Sequence, residues 1–379
     1  MKKYEVIVIG AGLGGIICAL ELKKAGIDVL LVEANDRIGK KILVSGNGKC
    51  NILNKNLSID KYNSDFLKNT LSAYSIDKLE QYLNELGLLL RIDSEGREYP
   101  YSESANTVLN VLLNNLKKEG VEIITSCKVK SIIEKNPFKV QTTLGDFLAD
   151  NIVLATGSNA TFGINSHALF EPYGHKCKNL VQTLVPIKTS EIKGCSGVRS
   201  KVKADLYINN KKVYTNNGEM LFKDNCISGI ISFQLSTFIS RSIVKGEYIN
   251  SYITIDFVPG MEEETLRGFI NEHGDLGIVH KSILSLFKSS KDLAHDLKNY
   301  RVEVKGLQGI NQAQVTAGGL NTDEFNSISF ESNKQKGLYA IGEVLDVDGE
   351  CGGYNLSAAL AMGLACAQGI KEKYENKNI

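Results

Sequence analysis

The sequence predicts an α/β protein: a Rossmann-like nucleotide-binding domain interrupted by a β-rich insert and a small helical subdomain. Three observations carry that expectation. A strand, a glycine-rich turn, a helix and a second strand follow one another in the first 33 residues; short apolar runs end in Ala155-Thr156-Gly157 and again in Gly342-Glu343; and the stretch between those runs changes character.

Tyr4 to Ile9 (YEVIVI) is a β-branched run suited to a strand buried on both faces. Gly10-Ala11-Gly12-Leu13-Gly14-Gly15 follows and fits G-x-G-x-x-G. Apolar residues 13, 16, 17 and 20 recur at helical spacing until Gly26 ends the helix, and Ile27 to Val32 is a second strand closing on Glu33. In a dinucleotide site Gly10 permits the tight turn, Gly12 lets the backbone approach the pyrophosphate, and Gly15 allows close helix–strand packing. The helix N-terminus offers unpaired N–H groups and a positive dipole end, and Glu33 can accept from ribose hydroxyls. A lone glycine motif is weak evidence; this one is specific because of the strand before it and the acid-terminated strand after it. The unit predicts a dinucleotide without separating NAD from FAD.

At 379 residues the chain exceeds what one hydrophobic core usually organises, so more than one structural unit is expected. With 44 Lys+Arg against 43 Asp+Glu, the net charge of +1 gives no electrostatic argument for nucleic acid or an anionic membrane as partner. The start, MKKYEVIVIG, is too short for a secretory signal and runs straight into glycines. No stretch reaches the roughly 18 uninterrupted apolar residues of a membrane span. The chain is therefore expected to be cytoplasmic. Eight cysteines (18, 50, 127, 177, 195, 226, 351, 366) form no CxxC and no Cys/His cluster at zinc spacing, so buried reduced thiols and no metal are expected.

Three further features bear on the cofactor: the basic Arg37-Ile38-Gly39-Lys40-Lys41 with Ser45; the apolar strand closing on Ala155-Thr156-Gly157; and the strand from Gly337 to Gly342-Glu343. Together they resemble the glutathione-reductase-like superfamily of FAD proteins. That resemblance implies a parallel sheet with a β-meander, residues 121–149 forming the meander strands, and Glu343 on the ribityl chain. Residues 39–54 (GKKILVSGNGKCNILN), Thr316-Ala317-Gly318-Gly319, and Gly342 to Gly349 running into Gly352-Gly353-Tyr354-Asn355-Leu356 narrow it. They are similar to the bile-acid 3-dehydro-Δ4,6-reductase-like or aminoacetone-oxidase-like NAD(P)/FAD-dependent oxidoreductases, almost end to end.

The resemblance implies FAD contacts at Gly10, Ala11, Gly12, Gly14 and Gly15, at Glu33, Ala34 and Arg37, and at Gly39, Lys40, Lys41, Ser45, Gly46, Gly48, Cys50 and Asn51. It extends them to Val129, to Ala155, Thr156 and Gly157, to Gly342, Glu343 and Asp346, and to Gly353, Tyr354, Asn355 and Leu356. One segment departs from the family pattern: where GEMLFTHxGISGP is usual, this chain has Lys223-Asp224 in place of Thr-His and Ile230 in place of the proline. A catalytic role resting on that histidine falls away here.

The FAD-binding domain is expected to be discontinuous, 1–187 with 308–379. Lys201 to Tyr207 and Val213 to Tyr214 read as strands around an Asn209-Asn210 turn, and Tyr252 to Phe257 alternates as a strand, which makes 188–255 the β-rich insert. Helical spacing from 262 to 299 makes 256–307 a helical subdomain, which in this superfamily shapes the substrate pocket. No second G-x-G-x-x-G appears, so NAD(P)H is expected as a transient reductant sharing one cleft with the substrate.

Flavin chemistry asks the protein to place the ring, exclude water and stabilise negative charge on the reduced ring. Gly352-Gly353-Tyr354-Asn355 opens a small-residue helix, expected over Leu356 to Ile370, whose N-terminus can supply that stabilisation. No catalytic residue is evident; Tyr354 as proton donor and Cys50, with Lys49 lowering its pKa, are the candidates. The five histidines (167, 175, 273, 280, 295) are scattered. The function read from these features is an FAD enzyme passing hydride from NAD(P)H through flavin N5 to a conjugated C=C of a hydrophobic, steroid-like molecule. Oxidation of a small amine with O2 giving hydrogen peroxide is the alternative within the family, an RNA-modifying flavoprotein a third, and a dicarboxylate reductase a fourth without a visible Arg/His constellation. Oligomeric state is unspecified.

Overall fold

β1 (Lys3–Ile9) runs through the middle of a seven-stranded sheet, ordered β6 (Glu122–Ile124), β2 (Val29–Val32), β1, β9 (Gly145–Leu154), β8 (Phe138–Thr142), β7 (Val129–Ile133), with β18 (Leu338–Ala340) branching from β9. The structure is a computed structural model and describes residues 1–133, 136–160, 167–247 and 250–376. By internal contacts the chain divides into two units, Met1–Leu180 with Gly318–Ile379, and Val181–Ala317.

In the first unit, β1 leads through Gly10 into α1 (Leu13–Lys24), then β2 (Val29–Val32), which pairs parallel to β1 from Val6↔Val29 to Ile9↔Val32. Every residue of β2 is buried, as expected of a central parallel strand. The segment after Glu33 folds as α2 (Lys40–Val44), then β3 (Leu53–Asn54), α3 (Lys68–Ala73), α4 (Ile76–Glu85), β4 (Leu90–Ile92), β5 (Arg97–Pro100) and α5 (Ala105–Glu119). β3, β5 and β4 make a small antiparallel sheet. β6 (Glu122–Ile124) pairs parallel to β2 and so belongs to the main sheet rather than to the meander read from sequence.

The meander is β7 (Val129–Ile133), β8 (Phe138–Thr142) and the first half of β9 (Gly145–Leu154); residues 134–135 of the expected span lie outside the described residues. β9 is one continuous strand where two were expected. It pairs antiparallel to β8 over 145–149, while β1 runs parallel to it from Lys3↔Leu148 to Ile9↔Leu154. A ten-residue strand can serve both because its outer half carries the hairpin and its inner end, buried from Asn151 to Leu154, carries the parallel core.

In the second unit, β10 (Val181–Thr183) pairs with β17 (Val315–Ala317). β11 (Ile187–Thr189), β12 (Arg199–Ile208), β13 (Lys211–Lys223), β14 (Cys226–Ser228), β15 (Ser251–Asp256) and β16 (Tyr300–Leu307) close a barrel. Its hairpin turn is Asn209-Asn210, both with positive φ (52° and 62°), the pair of left-handed residues a tight two-residue hairpin demands. α6 (Ile230–Val244) was not anticipated; it lies inside the stretch read as β-rich, and its apolar residues 231, 235 and 239 are buried. α7 (Glu263–His273), α8 (Lys281–Leu284) and α9 (Leu293–Lys298) fall where helices were expected. They share a unit with the barrel instead of forming a subdomain, because β16 returns after them to pair with both β15 and β11. The β10–β17 pair, with Val181 opposite Ala317, sets the unit's edges at 181 and 317 where 188 and 307 were expected.

Back in the first unit, β18 (Leu338–Ala340) pairs parallel to the inner half of β9, and α10 (Tyr354–Glu375) packs along α1. Gly14 and Gly363 permit that packing: a Cβ on Gly363 would stand 2.6 Å from the Gly14 carbonyl, and one on Gly14 2.9 Å from the Ala359 carbonyl. No helix among the described residues is long and apolar enough to cross a membrane.

Candidate active site

A cavity of about 450 Å3 opens at the C-terminal ends of β1, β2 and β9, lined by Gly10, Ala11, Gly12, Glu33, Ala34, Lys40, Lys41, Val129, Ala155, Thr156 and Gly157. This is where an open parallel sheet binds its ligand. The three motif glycines differ as a dinucleotide requires. Gly10 has φ +103° and its missing Cβ would collide with the Ala155 carbonyl; a Cβ on Gly15 would collide with the Gly10 carbonyl; a Cβ on Gly12 would meet nothing within 4 Å. Gly10 and Gly15 are small so that the protein can close on itself, and Gly12 leaves open space at the cavity. Behind it, α1 begins with no side-chain cap, so its first-turn N–H groups stay available.

Glu33 is buried, and its carboxylate accepts from the Ala11 N–H (2.9 Å), the Asn35 N–H (2.8 Å) and the Asn35 amide (2.7 Å). These donors fix both oxygens at the cavity wall while leaving lone pairs for a diol. The mouth of a helix beside an anchored carboxylate suits a pyrophosphate with its ribose, so the residues fit the adenosine half of FAD.

Lys41 bonds Glu343 at 2.5 Å, and the Ser158 hydroxyl donates to the other Glu343 oxygen, also at 2.5 Å. Lys40 pairs with Asp36 at 2.6 Å, one turn back. Arg37 is exposed and does not line the cavity. Gly39, with φ +70°, faces Leu109 of α5, so its role is packing.

Residues 45–50 turn through left-handed backbone at Gly46, Asn47, Gly48 and Cys50 (φ 55°, 55°, 83° and 58°). Ser45 Oγ donates to the Ile42 carbonyl at 2.6 Å. Cys50 is fully buried, and burial pushes its thiol up to about 11 against a smaller opposing bond from Ser45. Lys49, expected to lower it, is instead exposed and pairs with Glu103 at 2.9 Å. Cys50 is a protonated wall at neutral pH. Cys351, beside the glycine pair, is likewise pushed up to about 11 by burial.

The C-terminal motif is held by side chains from residues 51–63. With its amide nitrogen toward the Leu53 (3.0 Å) and Glu98 (3.3 Å) carbonyls, Asn51 accepts from the Gly353 N–H (3.2 Å). Asn54 donates to the Gly352 carbonyl at 2.7 Å, Tyr62 to the Tyr354 carbonyl at 2.8 Å, and Asn63 to Asp346 Oδ1 at 2.9 Å. Asp346 also pairs with Lys178 at 2.6 Å. Asn355, assigned to the cofactor from sequence, spends its side chain on Gly349 (2.9 Å to both N–H and carbonyl). Tyr354 is buried, and burial raises its phenol to about 12, so it can give up a proton only to a strong base. Gly342 has φ +77°, and Leu356 follows in the first turn of α10.

Of the histidines, His167 bonds the Val344 carbonyl (3.2 Å), and His175 is locked between Glu324 (2.9 Å) and Ser332 (2.8 Å) against the Phe325 ring. Burial lowers both pKa values. At the departure from the family pattern, Lys223 ends β13 and Asp224 begins the turn to β14, and both are exposed. Sequence reasoning missed Asn35, Ser158, Asn54 and Tyr62. Ser158 directly follows Ala-Thr-Gly and Asn35 lies two residues past Glu33, so those two were within reach of the motifs.

Fold, cavity and anchored acid define an FAD-dependent oxidoreductase. The HI0933-like protein Rossmann domain family matches residues 4–369, and the chain belongs to that family. Its relatives include the 3-dehydro-bile acid delta(4,6)-reductase of Clostridium scindens, 30% identical over 97% of this chain and 98% of the relative. The ribosomal RNA dihydrouridine synthase of Escherichia coli is 27% identical over 98% of each. Among solved structures, the 3-ketosteroid-delta4-(5alpha)-dehydrogenase of Rhodococcus jostii RHA1 is 14% identical with a TM-score of 0.50, covering 98% of this chain and 96% of its own, a likeness of fold.

Proposed function

We propose that the protein reduces a carbon–carbon double bond conjugated to a carbonyl in a hydrophobic, steroid-like small molecule, with NAD(P)H as transient reductant. The observation that carries this reading is the end-to-end likeness to the bile-acid delta(4,6)-reductase. Bound FAD supplies the hydride chemistry. The chain's own residues hold and tune it: Gly12 and the α1 N-terminus take the pyrophosphate, Glu33 the adenosine ribose, and Glu343, steadied by Lys41 and Ser158, the ribityl hydroxyls. The N-terminus of α10 would offer its positive dipole end to charge that develops on reduction. Cys50 and Cys351 remain thiols, which supports direct transfer over a thiol relay. With one nucleotide unit in the sequence, reductant and substrate take turns, and the kinetics are ping-pong.

A second reading is favoured by the likeness to the ribosomal RNA dihydrouridine synthase. Dihydrouridine differs from uridine by two hydrogens across a ring double bond conjugated to a carbonyl, so the chemistry is shared and only the substrate changes. The net charge of +1 favours the small molecule.

The test is stopped-flow bleaching of the bound flavin by NADH, NADPH and small amines, then reoxidation by enones, air and a uridine-containing rRNA fragment. Bleaching by NAD(P)H with reoxidation fastest by a steroid-like enone is expected. Bleaching by an amine with fast reoxidation in air sinks the reading in favour of an oxidase, and turnover only on RNA replaces the small molecule with uracil.

A further inference from the structure

We propose that Asn51 and Asn54 are positioning residues: acting as a pair, they hold the Gly352-Gly353 turn so that the first turn of α10 sets the reduction potential of the bound flavin. The proposal rests on the reading of this site as a flavin site. Sequence placed Asn51 on the cofactor, but its amide is turned wholly into the protein. It donates to the Leu53 and Glu98 carbonyls and accepts from the Gly353 N–H, while Asn54 donates to the Gly352 carbonyl and accepts from the Asn56 N–H at 2.9 Å.

The turn cannot hold its own shape. Gly352 and Gly353 have φ of +130° and +98°, and a Cβ on Gly353 would stand 2.6 Å from the Leu53 carbonyl and 2.8 Å from Asn51 Oδ1. Two glycines in sequence are the most pliable backbone a chain offers, and here they precede a 22-residue helix whose N-cap, Gly353, has no side-chain cap of its own. The helical ladder of α10 starts at the Ser357 N–H on the Gly353 carbonyl (2.9 Å), so the N–H groups of Tyr354, Asn355 and Leu356 lie in the first turn, at the positive end of the helix. Their partial positive charge acts over about one turn, so its effect on a neighbouring charge depends on where the turn is held. Asn51 and Asn54 grip the two sides of that turn, one at an N–H and one at a C=O, Asn54 from β3, which pairs with β5 at Leu53↔Glu98, and Asn51 from two residues before it.

A group that stabilises added negative charge binds reduced flavin more tightly than oxidised flavin. Loosening the turn therefore lowers the potential while leaving the affinity for oxidised FAD, held mainly at the other end of the molecule, little changed. The experiment compares wild-type holoenzyme with N51A, N54A and the double variant, reading the flavin potential by dye equilibration, the dissociation constant of oxidised FAD and the thermal midpoint. Tyr374→Phe serves as the control: it removes bonds to the Glu5 carbonyl and Asn151 at the far end of α10.

In each single variant the ratio of reduced to oxidised FAD affinity is expected to fall about tenfold, about 30 mV for a two-electron couple. The double variant is expected to add little, since one turn is released once. If N51A fails to load FAD, N54A alone decides. An unchanged potential in the asparagine variants, or an equal shift in Y374F, overturns the proposal and leaves both residues structural. Failure of the wild type to bind flavin overturns the reading of the site itself.

Discussion

Replacing Gly12 by alanine separates ligand approach from folding at a single atom. Gly12 has φ −77° and ψ −177°, extended backbone that alanine adopts without strain, and the new methyl meets no protein atom within 4 Å. In the apoprotein two small effects oppose each other. The loss of unfolded-state freedom stabilises by about 0.4–1 kcal/mol. Alanine is also a poorer N-cap than glycine, which costs about as much. Apoprotein stability is therefore expected within about 1 kcal/mol of wild type. The methyl occupies the space through which the pyrophosphate reaches the α1 N–H groups, and losing one hydrogen bond to a charged group costs about 1.5–3 kcal/mol. FAD affinity should fall roughly 10- to 150-fold. Titrating apoprotein with FAD by fluorescence quenching, beside thermal melts without FAD, reads both quantities. Gly15→Ala is the contrast, since its methyl collides with the Gly10 carbonyl and the apoprotein itself should lose about 1–3 kcal/mol. Wild-type FAD affinity in G12A would refute the placement of the pyrophosphate at this turn, and a G12A apoprotein as damaged as G15A would refute the claim that its space is open.

Three further outcomes follow from individual side chains. Glu98 is buried with Oε1 lacking a hydrogen-bond partner, and burial, then the bond with Glu80, raises its pKa. Because the unfolded chain ionises first, near 4.5, stability should fall as pH rises above that value, by up to about 1.4 kcal/mol per pH unit, until Glu98 ionises in the folded state; denaturant midpoints of E98Q against pH should be flatter and higher at pH 7. Cys50→Ala should keep flavin reduction by NAD(P)H within about threefold while losing about 1–2 kcal/mol to the small cavity, and folded wild type should resist iodoacetamide at Cys50 at pH 7.5; loss of reduction in C50A with FAD still bound would restore the thiol as a participant. Lys41→Met leaves Glu343 with Ser158 but without its cation, and should weaken FAD binding about tenfold by titration with little change in the apoprotein melt.

The pieces legible in the sequence were those whose chemistry is local. The glycine turn, its helix and the acid after it occupy adjacent residues, and each glycine's task follows from backbone geometry that any chain shares. The Asn209-Asn210 turn was legible for the same reason, since two adjacent residues that tolerate left-handed backbone mark a hairpin. By contrast β6 was misread as meander, because a three-residue strand carries no sign of which neighbour it will pair with, and α6 was lost in a stretch judged by the strands around it.

Among the site residues, charge was the most misleading guide. Lys49 beside Cys50 in sequence suggested an activated thiol, yet the backbone turns at Cys50 and sends the two apart, one to Glu103 and one into the core. Sequence alone determined the dinucleotide unit, the family and the cofactor, because those rest on short motifs with fixed spacing. Tertiary structure decided that Glu343 is clamped by Lys41 and Ser158, that the barrel claims β16 from beyond the helices, and that residues 51–63 grip 346–355. Those contacts join residues up to about three hundred positions apart, and hydrogen bonds of that span depend on how the whole sheet brings its strand ends together.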